Sequence, residues 1–89
     1  MIEVTAVHMV GGTRHEHIAE VRWRNLTTND TGNSSRQQMV DWVRANPGQA
    51  VVDHGGRRAY VGVVDATPPY IRTYADGVWN DNLLALPRY

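Results

Sequence analysis

The chain has 89 residues, room for one small domain and no more. Its nine basic residues are all arginine, nine acids balance them, and the formal net charge is zero. Schiff-base and P-loop lysine chemistry are excluded, and generic nucleic-acid binding loses its electrostatic basis. There is no cysteine, which excludes disulfides, thiolate metal sites and cysteine catalysis.

The opening residues 1–6 (Met-Ile-Glu-Val-Thr-Ala) have no basic stretch ahead of an apolar run. No apolar run approaches membrane-span length. The expectation is a cytoplasmic protein with no membrane contact. Three Asn-x-Ser/Thr triplets, starting at Asn25, Asn29 and Asn33, then read as polar loop composition and not as glycosylation sites.

Residues 2–10 are rich in β-branched side chains and predict a strand. Gly11-Gly12-Thr13 supplies a turn, and residues 18–26 predict the returning strand, beginning near His15. Residues 27–33 read as a polar connector. Ser34 and Ser35 each precede a glutamine by three residues, so either one completes a capping box. The helix that follows, 36–45, gathers Met39, Val40, Trp42 and Val43 on one side and stops at Asn46-Pro47-Gly48. Residues 50–53 and 58–66 predict a hairpin about the His54–Arg57 turn. Thr67-Pro68-Pro69 interrupts the ladder, 70–74 resumes it, and Asp76-Gly77 marks another turn. The tail, 78–89, carries Trp79, Leu83, Leu84 and Leu86, and so is expected to dock, on its own chain or on a second copy. The expected fold is α+β: a small antiparallel sheet of about 4–5 strands in β-β-α-β-β order. One helix packs on one face, and the C-terminal tail docks.

Tyr70-Ile71-Arg72-Thr73, then Asp81-Asn82-Leu83, then Leu86-Pro87 and a terminal Tyr89 resemble the closing signature of domain-of-unknown-function family 3892. The strand 2–10, Gly11-Gly12, Ile18 and Ser35-Arg36 with Met39-Val40 are similar to that family's opening half. The chain departs from the family at Ala45-Asn46-Pro47-Gly48, where many members have a charged residue and glycine, and at Thr67-Pro68-Pro69, commonly a polar turn. The resemblance implies a small bacterial or phage protein. It implies no activity and no catalytic residues. The exclusive use of arginine fits GC-rich coding in such a host.

Four constellations carry chemistry. Tyr70, Arg72 and Tyr74 share one face of a strand, the alternation of a single-stranded nucleic-acid platform. The same alternation describes a half-buried structural strand, in which Arg72 stacks on a tyrosine or pairs with Asp81. Zero net charge favours the structural reading. His15 and His17, two apart on a strand, would point the same way and form a metal candidate, with His8 on the facing strand as a third ligand. Trp79 and Tyr89 are aromatic anchors for internal packing or for an interface. Ser34 and Ser35 are explained by capping, and no nucleophile stands beside a histidine. No catalytic residues are assigned and no cofactor is implied.

The sequence therefore predicts a non-enzymatic interaction module that binds a protein partner or itself, with Tyr70, Arg72, Tyr74 and Trp79 as contact residues. The alternative is a nucleotide or single-stranded nucleic-acid binder on the Tyr70/Arg72/Tyr74 face. A metal-dependent enzyme at His15 and His17 is a third reading.

Overall fold

In a computed structural model describing residues 1–89, seven strands form a single mixed sheet. The strands are β1 (Ile2–Met9), β2 (Ile18–Asn25), β3 (Thr31–Ser35), β4 (Ala50–His54), β5 (Arg57–Val64), β6 (Tyr70–Ala75) and β7 (Val78–Asn80). Their spatial order is β3-β2-β1-β4-β5-β6-β7. Helix α1 (Arg36–Ala45) joins β3 to β4, and short 3-10 turns cover His15–His17 and Asn82–Ala85.

This corrects the expected sheet of 4–5 antiparallel strands in β-β-α-β-β order. The chain is mostly β, with two further strands and one parallel pairing. β3 occupies much of the stretch read as a polar connector. It lies at the sheet edge, where one side of the ladder meets solvent and polar side chains are favoured. β7 occupies the start of the tail, paired with β6 through a two-residue turn. Asp76 (φ 54°) and Gly77 (φ 75°) both take the left-handed backbone that such a turn requires. The parallel pairing joins β1 to β4 over Ile2–Ala50 and Glu3–Val51 only. It arises because α1 serves as a crossover, returning the chain beside β1 instead of beside β3.

The inner face of the sheet and α1 share one core. Ile2, Val4, Val7, Val21, Val52, Val61 and Ile71 meet Met39, Val40 and Val43 of the helix. Strict alternation along β1 would place Val4 and Val7 on opposite faces. An irregularity between Val4 and Ala6 shifts the register and brings both into the core. The helix starts at a capping box. Ser35 Oγ accepts the Gln38 N–H at 3.2 Å, and Gln38 Oε1 accepts the Ser35 N–H at 2.9 Å. It touches β2 and β3 on one side and β5 and β6 on the other, so the sheet wraps around it.

The C-terminal segment docks on its own chain. Leu83 is fully buried in the common core, with Leu84 and Leu86 packed against it. Beyond Glu3, β1 parts from β4, and the tail takes the freed edge. The Val7 N–H donates to the Pro87 carbonyl at 2.9 Å, and the Tyr89 N–H donates to the Val7 carbonyl at 3.2 Å. No helix is long and apolar enough to cross a membrane.

Candidate binding surface

The registers of β4 through β7 sort the side chains onto two faces. Ala59, Val61, Ile71 and Thr73 face the core, and all are buried. Tyr60, Gly62, Arg72, Tyr74 and Trp79 lie on the other face. There Tyr60 and Tyr74 are 6.0 Å apart between ring centroids, and Tyr74 meets Trp79 edge-on at 5.8 Å. Gly62 makes this cluster possible. A Cβ at that position would lie 3.1 Å from the Tyr74 ring and 3.2 Å from the Trp79 ring. Despite these mutual contacts, Trp79 stays 44% exposed and Tyr60 37%. Val78, next in β7, is 67% exposed.

β7 is also an open edge. The two-residue turn makes Ala75 and Val78 a hydrogen-bonded pair, so Tyr74 and Trp79 form the next, non-bonded pair. The backbone N–H and C=O of Trp79 therefore point away from β6, to the side where the sheet ends.

Arg72 shares the face of Tyr70 and Tyr74, as the alternation predicts, but its guanidinium is engaged. Its Nε donates to the Asn80 carbonyl at 3.2 Å and its Nη2 to Asp81 Oδ1 at 3.0 Å. The sequence pointed to an Arg72–Asp81 pair, and that pair forms. Here the fork is shared between that carboxylate and a backbone carbonyl. Thr73, on the core side, also donates to Asn80, so both faces of β6 hold the β7 exit.

His15 and His17 do not lie on a strand, so the expected common direction fails. Both sit in the 3-10 turn, and their side chains part. His15 is buried, with Nε2 3.8 Å from Asp81 and no hydrogen-bond partner. Burial lowers its pKa, and the nearby Arg72 charge adds to the effect. His17 is half-buried against Gly12, and its Nδ1 accepts the Arg14 N–H at 3.1 Å. His8, the expected third ligand, instead bonds the Tyr89 carbonyl through Nδ1.

Tyr89 is an internal anchor. Its hydroxyl donates to Glu20 Oε1 at 2.8 Å, and Arg22 lies over its ring, 4.4 Å from the centroid. Burial, together with the Glu20 hydrogen bond and charge, pushes its pKa up to about 12.

These features define a small, mostly β domain whose single helix lies in the curl of the sheet and whose own C-terminal segment closes a sheet edge. The chain belongs to a family described as a protein of unknown function (DUF3892), whose sequence model matches residues 3–87. The resemblance carried by the 70–87 signature therefore holds across nearly the whole chain. No curated protein and no solved structure matches it.

Sequence reasoning named Tyr74 and Trp79 among its contact residues, and it missed Tyr60 altogether. The structure joins these three. The signal was present in the alternation of 58–66, which sets Tyr60 on the same face as Gly62.

Proposed function

We propose that this protein is a non-catalytic interaction module that pairs with a second copy of itself through the β7 edge. One observation carries the proposal: the exposed Tyr60–Tyr74–Trp79 cluster borders an unpaired strand edge at Trp79. In a two-fold arrangement, Trp79 of each copy would face its mate. Each Trp79 N–H would donate to the other's carbonyl, the aromatic rings would meet on one face, and Val78 would be covered on the other face by the mate's Asn80. Zero net charge leaves no overall repulsion between copies.

The non-catalytic part rests on where the reactive side chains are engaged. Ser35 caps α1, Ser34 accepts the Trp23 indole N–H at 3.0 Å, and His15 is buried beside Arg72. The nucleic-acid reading of Tyr70, Arg72 and Tyr74 loses support because Arg72 is tied to Asn80 and Asp81. A bacterial or phage-infected cytoplasm is the setting this reading assumes, in keeping with the arginine-only composition.

Sedimentation velocity across a concentration series tests it. The expected result is a monomer–dimer equilibrium that Trp79→Ala and Val78→Asp shift to monomer without loss of fold. A wild-type chain that stays monomeric at the highest concentration overturns it.

A further inference from the structure

A cavity of about 380 Å³ lies between α1 and the β2–β3 end of the sheet. That volume suits a small-molecule ligand. Trp23 contributes one wall from the sheet and Trp42 another from the helix. The Trp23 wall is preset. A Cβ at Gly32, its partner on β3, would lie 2.6 Å from the indole Cζ2, and the indole N–H is held by Ser34 Oγ.

No charged side chain lines the cavity. Four polar residues line it; Asn33 alternates to the other face of β3, where its Nδ2 donates to Glu20 at 3.3 Å, while Asn25, Ser34 and Gln38 each have an acceptor engaged by the protein. Asn25 Oδ1 accepts the Thr27 and Thr28 amides at 2.9 and 3.2 Å. Gln38 Oε1 accepts the Ser35 amide at 2.9 Å, and Ser34 Oγ accepts the Trp23 indole. A backbone N–H can only donate, so these contacts fix which end of each carboxamide is oxygen. Asn25 Oδ1 is thereby saturated, and Gln38 Oε1 and Ser34 Oγ keep one lone pair each, so the free groups are weighted toward donors: Asn25 Nδ2, Gln38 Nε2 and the Ser34 hydroxyl proton.

We infer that this cleft binds an uncharged, acceptor-rich aromatic heterocycle, the chemistry of a nucleobase or nucleoside with carbonyl and ring-nitrogen acceptors. The indoles supply stacking faces, and the three donors meet the acceptors on the ring edge. A phosphate or carboxylate would be desolvated there with no countercharge. An aliphatic ligand would leave the donors unpaired. A sugar would use the same stacking faces, but its many hydroxyl donors would have only the one remaining lone pair on each of Gln38 Oε1 and Ser34 Oγ to meet. This site stands apart from the β7 edge and does not depend on it.

Titration of the wild-type chain with uridine and inosine, followed by two-dimensional amide NMR, tests the inference. The indole N–H signals of Trp23 and Trp42 are expected to shift, with Trp79 as an unmoved internal reference. Gln38→Glu keeps the oxygen that caps α1 and removes the Nε2 donor, so the fold is retained. It is expected to weaken binding about tenfold. Absence of shifts at about 10 mM nucleoside overturns the inference. So do shifts confined to Trp79, equal affinity in Gln38→Glu, or tighter binding of glucose than of either nucleoside.

Discussion

Tyr89 shows how one residue joins the two ends of the chain. Its phenol is kept neutral by burial and by the Glu20 carboxylate, and its pKa stands at about 12 against an ordinary 10.0. The fold thus favours the protonated form. The stabilisation is complete below pH 10 and is lost as the pH rises through about 12. Phenolate absorbance of the wild type, compared with Tyr89→Phe, should show one of the four tyrosines ionising near that value. Glu20→Gln should move it downward. An unchanged profile in Tyr89→Phe would contradict the assignment. Arg72 makes a second test at this scale. It is one-third exposed and Asp81 is largely exposed, so screening keeps their pair modest. Arg72→Ala is expected to cost about 1 kcal/mol, a fall of about 4–8 °C in Tm. A Tm unchanged from wild type would free Arg72 for an external ligand.

At the scale of elements, much was legible. The α1 boundaries followed from the serine cap, the apolar spacing and Asn46-Pro47-Gly48, and its capping box formed at Ser35. The hairpins about Gly55-Gly56 and Asp76-Gly77 have left-handed backbone where glycine allows it. β3 was not legible, because Thr-Gly-Asn-Ser-Ser has no apolar alternation. Its place depends on Trp23, which lies over Gly32 and which only the folded register brings there. The His15–His17 turn was misread because a one-turn 3-10 segment has no periodicity to detect. The docked tail follows from its leucines, but its partner edge does not. Local sequence cannot show that β1 parts from β4 after Glu3 and leaves Val7 unpaired on that side. Leu83 carries this docking, fully buried in the shared core. Leu83→Ala should cost about 2–5 kcal/mol by thermal or denaturant unfolding. A loss below about 1 kcal/mol would show that the tail is held by its backbone bonds alone.

Across the whole molecule, the arginines do not assemble into a basic face. Arg24 pairs with Glu3, Arg44 with Asp65, Arg58 with Asp53 and Arg72 with Asp81, while Arg22 covers Tyr89. Four of the nine arginines are paired with carboxylates, and the prominent unfilled feature is apolar and aromatic. That feature lies where the sheet ends. β3, at the opposite end, is a polar edge of the kind that discourages pairing, whereas β7 presents Val78 and Trp79. The sequence pointed to an aromatic tail as an anchor but did not show which sheet edge it borders, because that requires β7 to be the last strand. Self-pairing through β7 is the central claim, and intermolecular NOEs in a mixture of labelled and unlabelled chains test it most directly. Contacts between Trp79 of one copy and Trp79 of the other, and between Val78 of one and Asn80 of the other, are expected. A dimer whose intermolecular contacts fall elsewhere, or no intermolecular contact at all, would contradict it.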